Sequence, residues 1–306
     1  IGACALRYFF KYVLGIRPAE QLEFDPTHWL DPIQFGNLLH DVFYRFMGEL
    51  ISQRRLPSVE RDMARLSAIL EQSIERYARM FPPPGPSVFR QQCMQLRQSA
   101  RIFLTEEELL GRSQRPRFVE VSVGMKAREG SGQADTEEPV MVRTGDGAVI
   151  RVRGRIDRID SIGDDRDAEF ALCDYKTGSD YRYTKPDVFW EGRVIQHALY
   201  LTVAANVLTR KVDRNAKVVH FDYYFPQHRG SGRRIRITTE QVRAGTSVIA
   251  NLCRLVSEGS FMPTIDAEGD CTMCDYLAAC GDVKTIAAWA KIKIANPDNV
   301  QLQPLR

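Results

Sequence analysis

The chain has 306 residues, 44% of them hydrophobic, enough to bury a substantial core in one large domain or two. A net charge of only +3 does not announce a nucleic-acid binder, and no apolar run reaches the roughly 18 residues of a membrane span, nor does a charged and then apolar leader open the chain. The first residue is Ile1 rather than Met, so the sequence reads as a piece of something longer, and seven cysteines, an odd number without a secretion signal, point to reduced thiols.

Cys4 opens an apolar helical pattern, Leu6 to Leu14, that ends at Gly15. Asp31-Pro32 supplies an N-cap and a first-turn proline for a helix running to about Ser52, with Leu39, Val42, Phe43, Phe46 and Leu50 as its apolar stripe. His40 sits beside that stripe, one turn after Gly36, where a histidine is either a satisfied structural residue or a ligand. Further helices are expected over Leu56–Phe81 and Phe89–Leu110, separated by the breaker PPPGP.

After Pro116 the pattern turns to alternation. A strand is expected over Phe118–Val123, with Glu120 either joining a site or lying solvated on its strand, then a hairpin with a long loop over Arg128–Gly147. Gly154–Lys176 reads as two strands joined by a turn over Ser161–Ala168, completing the same sheet. Val188–Leu208 has a helical pattern on which Gln196 and Tyr200, four apart, point the same way. Strands at Val218–Phe225 and Ile235–Thr238 flank a basic turn, and a helix is expected from Thr239 to about Ser257. No repeat period emerges, and no G-x-x-x-x-G-K-[ST] loop is present to cradle a nucleotide.

The chemistry concentrates on Gly154–Lys176. Alternation puts Asp174 and Lys176 on one side of their strand and Cys173 and Tyr175 on the other, with Asp157 on the neighbouring strand. Two carboxylates with a lysine beside them make an oxygen-rich metal pocket suited to phosphodiester hydrolysis. Near the C-terminus, Cys271, Cys274 and Cys280 in CTMCDYLAAC form a chelating loop for a thiophilic metal or cluster. For a fourth ligand, Cys173 faces away from the pocket and Cys93 and Cys253 fall within helix patterns, which leaves Cys4. Arg151, Arg153, Arg155 and Arg158, and separately Arg229, Arg233, Arg234 and Arg236, are either phosphate contacts or solvated faces.

Together these segments resemble the RecB/AddB-type branch of the PD-(D/E)XK nuclease superfamily, in particular its iron-sulfur members, related to the nuclease domain of AddB and to CRISPR-associated exonucleases. The resemblance rests on Cys4 with the FF-x-YVLGIRP segment, Gly36 and His40, GRIDRID with Asp157, DYKTG with Asp174 and Lys176, Gln196 with Tyr200, and Cys271, Cys274 and Cys280. It covers residues 4 to 280 in the family's order, departing at Ala5, where the family often has proline. It implies an α/β fold with a restriction-endonuclease-like core: a mixed central sheet flanked by helices, a helical N-terminal part and a cysteine-stapled C-terminus. It further implies Mg2+ or Mn2+ held by His40, Asp157, Asp174 and the Tyr175 carbonyl, with Lys176, Gln196 and Tyr200 completing the catalytic set. Cys4, Cys271, Cys274 and Cys280 would hold a [4Fe-4S] cluster, with zinc as the chemical competitor. Closing so long a loop would stabilise the fold by about 5–6 kcal/mol.

The expectation is therefore one nuclease domain, residues 1–306, with a helical part over 1–115, the core over 116–245 and a C-terminal helix and cysteine segment over 246–306, belonging to the C-terminal part of a longer chain. It would be a cytoplasmic, metal-dependent deoxyribonuclease acting on single-stranded DNA or duplex ends, with a fused or separate helicase and no membrane. The alternatives are a catalytically silent DNA-binding module of a helicase-nuclease complex and a metal-stapled interaction domain that binds no DNA.

Overall fold

The computed structural model describes residues 1–18, 25–127, 132–163, 168–227, 229–297 and 299. The N-terminal segment forms α1 (Ala5–Tyr8), whose N-cap is Cys4, and continues as a π-helical turn over Phe9–Val13. Helix α2 (Pro32–Ser52) starts where Asp31-Pro32 predicts: the Asp31 carboxylate accepts from the Ile33 and Gln34 amides, and the Gln34 side chain accepts from the Asp31 amide. Helices α3 (Val59–Met80) and α4 (Pro86–Leu110) follow, divided by the proline breaker.

Five strands form the central sheet in the order β1 (Gln114–Val123), β4 (Gly154–Ile162), β5 (Glu169–Tyr175), β6 (Lys217–Phe225) and β7 (Arg233–Thr238). All neighbours are antiparallel except β5 and β6, which run parallel because α5 (Gln196–Lys211) carries the chain back between them. The sheet is thus mixed, with helices on both sides. Helices α2, α3 and α4 cover one face, where Phe43 and Phe103 stack at 3.9 Å and meet Cys173, Tyr175 and Tyr224 from the sheet. Helix α5 covers the other, packing Leu201, Ala204 and Leu208 with Leu172, Phe221 and Tyr223. The alternation expected for β5 is therefore present.

Several local expectations need correction. Strands β2 (Val140–Arg143) and β3 (Val149–Val152) pair only with each other, so this hairpin forms its own small sheet and β4 pairs directly with β1. The helix read from Val188 begins only at Gln196, because Trp190, Glu191 and Gly192 all take left-handed backbone angles that break it. Helix α6 (Gly245–Ser257) likewise starts later than Thr239. Residues 164–167 of the expected turn and 128–131 of the expected long loop lie outside the described residues.

Short helices α7 (Ala267–Asp270) and α8 (Leu277–Cys280) lead into α9 (Val283–Ala295). This end returns to the N-terminal segment: the Leu6 amide donates to the Met262 carbonyl, and the Tyr276 hydroxyl donates to the Ile16 carbonyl. None of the described helices is long and apolar enough to cross a membrane.

Candidate active site

The site forms where α2, β1, β4 and β5 converge. Gly36 lets α2 approach the end of β5, since a Cβ there would lie 2.9 Å from Thr177 Oγ1. One turn on, His40 Nε2 is 3.0 Å from the Tyr175 carbonyl and Nδ1 is 3.4 Å from Asp157 Oδ2. With Nε2 donating, the Nδ1 lone pair faces a carboxylate, an arrangement that calls for a proton or a cation. The Tyr175 amide donates to the same Asp157 oxygen at 2.8 Å, fixing its orientation.

Glu120 settles beside these groups. Its backbone is left-handed at φ 51°, uncommon for a residue with a side chain, and it is only 9% exposed. It is thus no solvated strand carboxylate. His40, Glu120 and Asp157 each offer a donor atom, all within 4.8 Å of one another, in a cavity of about 440 Å³ that Asn37 and Arg155 also line. Burial pushes the Asp157 carboxyl well above the usual carboxylate range, and repulsion from Asp174 pushes it further, against the pull of the Tyr175 amide.

Asp174 and Lys176 form an ion pair at 2.5 Å, and the Gln196 amide closes a triangle with them. It donates to Asp174 Oδ1 at 2.7 Å and accepts from Lys176 Nζ at 3.0 Å. Burial lowers the Lys176 ammonium, but attraction to Asp174 outweighs it and leaves the group above its ordinary value. Tyr200 lies against the start of β4, where a Cβ on Gly154 would be 3.4 Å from its hydroxyl, and burial raises its phenol against the hydrogen bond to Gln196. Tyr183, which sequence reasoning missed, also bears on Lys176, with its ring 4.1 Å from that of Tyr223. No spacing signal could have found it, because it sits in a single 3-10 turn over Tyr181–Tyr183 within the connection from β5 to α5.

The four cysteines expected to act together line one cavity, with Phe10, Tyr276 and Ile286 as apolar wall. Cys4 Sγ accepts from the Arg7 amide at 3.4 Å. Burial raises the Cys271 and Cys280 thiols, and repulsion from the neighbouring cysteines adds to it. Cys93, Cys173 and Cys253 lie elsewhere.

Two of the basic groups are not surface charges. Arg158 is fully buried, held by Asp160 at 2.8 Å and Glu107 at 2.8 Å, and it donates to the Tyr175 hydroxyl. Arg234 pairs with the same Glu107 and lies 3.7 Å over the Tyr224 ring. Arg236 is engaged by Asp222, Arg233 by Asp180 and Arg155 by Glu120, whereas Arg151, Arg153 and Arg229 are exposed.

Comparison with known proteins yields two findings. The profile of the PD-(D/E)XK nuclease superfamily matches residues 1–281. A curated relative from Latilactobacillus sakei subsp. sakei (strain 23K), a subunit of an ATP-dependent helicase/deoxyribonuclease, is 26% identical over 203 residues, 63% of this chain and 16% of that protein. The chain thus spans about a sixth of that relative's length.

Proposed function

The chain belongs to the PD-(D/E)XK nuclease superfamily, and from that premise we propose that it is a metal-dependent deoxyribonuclease, an exonuclease working in DNA end processing or recombinational repair. The observation that carries this reading is the convergence of His40, Glu120 and Asp157 donors beside the Asp174–Lys176–Gln196 triangle. Three carboxylates against one lysine and one arginine leave an excess of negative charge that a divalent cation would balance. Hard oxygen donors and an imidazole suit Mg2+ or Mn2+.

His40, Asp157 and Glu120 would hold that ion, with Asp174 and the Tyr175 carbonyl as neighbouring candidate donors. When bound, it supplies charge neutralisation at the scissile phosphate and a water of lowered pKa. Lys176, kept protonated by Asp174, acts as a cation that stabilises charge on the phosphate rather than as a general base, which would need a value near neutrality. Gln196 fixes the lysine and Asp174 relative to each other, and Tyr200 supports Gln196. The kinship to a helicase/deoxyribonuclease component supports a helicase as fused domain or partner, and free cysteines accord with a reducing cytoplasm.

Cys4, Cys271, Cys274 and Cys280 would bind a [4Fe-4S] cluster that ties the two ends of the chain. The lining of one cavity by all four thiols supports a shared thiolate site, for which tetrahedral zinc is the competitor.

Incubation of the purified protein with end-labelled single- and double-stranded DNA tests the activity. Degradation is expected with Mg2+ or Mn2+ and none with chelator, and inertness under every condition refutes it. Anaerobic purification tests the staple: visible absorption with iron is expected, and a colourless protein with stoichiometric zinc excludes the cluster.

A further inference from the structure

A second cavity, of about 460 Å³, opens at the other end of the seam between α2 and β1, lined by Arg54, Arg55, Arg115, Arg117 and Ser161. Arg55 is paired with Asp62 at 2.6 Å, but Arg54, Arg115 and Arg117 are exposed and have no ion pair among the described residues. Glu169 and Asp213 border an adjoining cavity with Arg117. Three guanidinium groups around one opening, without an ion pair among the described residues, attract a polyanion.

Arg54 strengthens the case. Helix α2 ends in a Schellman motif: the Arg55 amide donates to the Leu50 carbonyl at 3.1 Å, and the Arg54 amide donates to the Ile51 carbonyl at 3.0 Å. Arg54 therefore occupies the left-handed position, φ 52°, that glycine usually fills. The fold tolerates strain here to keep a guanidinium at the cavity.

The placement relative to the metal-binding donors is also telling. Both cavities are built from the same helix and the same edge strand. The last residue of α2, Ser52, lies about 18 Å along the helix from His40 at 1.5 Å per residue, with Arg54 just beyond it. Arg115 lies about 17 Å along β1 from Glu120. A strand of a duplex advances about 3.4 Å along the helix axis per nucleotide, so the arginines lie within a few nucleotides' reach of the cutting site.

We infer that Arg54, Arg115 and Arg117 form a phosphate-binding site for the backbone of the nucleic acid whose phosphodiester is cut at His40, Glu120 and Asp157. This rests on the nuclease reading above and adds to it a defined path for the strand. It takes the place of the Arg158 and Arg234 contacts that the sequence suggested, which the burial of Arg158 and the pairing of Arg234 with Glu107 remove.

The test measures DNA binding in chelator, in an Asp174→Asn background, so that no cleavage is needed. Arg54→Gly should raise the melting temperature, because glycine suits its backbone, while weakening DNA binding several-fold. Loss of affinity in a more stable protein cannot come from misfolding. Arg54→Gly, Arg115→Ala and Arg117→Ala together should reduce the slope of log affinity against log salt by about 2 to 3. If the background binds DNA and the triple variant binds it equally, with the same slope, the path is wrong and the nuclease reading stands. If the background binds no DNA at any salt, both fall. Competition for the cavity by polyglutamate but not by DNA would mark it as an acidic-peptide site and overturn the inference.

Discussion

Near the middle of the β4–β5 hairpin, Arg158 and Asp160 join Glu107 and Arg234 in a buried quartet, whereas toward its end Asp157 and Asp174 meet Glu120 with Lys176 and Arg155 in reach. The quartet balances two acids with two bases. Burial pulls the Arg158 guanidinium down, yet attraction to Asp160 and Glu107 more than offsets it. The other group has an acid in excess, and its buried Asp157 is held partly toward the neutral form. Sequence neighbours thus have opposite needs: the quartet is complete within the protein, and the site becomes electrically complete with something added.

The largest effects should separate the two groups by what is lost. Asp174→Ala and Lys176→Ala should each reduce Mg2+-dependent DNA degradation by at least about 10³-fold while the protein remains folded. Retained cleavage in either variant removes the pair from the mechanism. Arg158→Met should do the reverse, leaving Asp160 buried without its partner and Glu107 with Arg234 alone, and costing about 3–5 kcal/mol in a urea titration. Measured where it is still folded, its turnover should change far less than that of Lys176→Ala. A fully stable Arg158→Met protein would mean that the quartet is not structural.

That contrast also explains what could be read from the sequence. Helices α2 to α4 and the β4–β5 hairpin were legible because local patterns carry them: the capping box at Asp31, the stripe through Phe43 and Phe46, and the alternation that sends Tyr175 inward and Asp174 to its lysine. The Arg158 partnership was not, since Glu107 is on a helix and Arg234 on the last strand, and a run of arginines looks alike whether solvated or buried. The break before Gln196 depends on backbone angles at Trp190 and Glu191 that their residue types do not suggest. Glu120 was half legible: alternation located its strand, but its inclusion in the site depends on a left-handed backbone that no pattern encodes.

The smallest effect sharpens the comparison through pH. Asp157 has a folded-state value raised well above 3.8, first by burial and then by Asp174, so the folded protein binds that proton more tightly than the unfolded chain. The resulting penalty is full above the raised value, shrinks as pH falls from there toward the unfolded value, and is gone below about 4. Asp157→Asn keeps an oxygen to accept from the Tyr175 amide and removes the charge. In chelator at pH 7 the variant should therefore melt above the parent, and the gap should close as the pH is lowered toward 4. Saturating Mg2+ should reverse the order at pH 7, because binding to the folded parent stabilises it while the variant has lost a ligand. A variant less stable than the parent in chelator would show that Asp157 is satisfied within the protein, as the quartet is, and that the site has no electrostatic need for a cation.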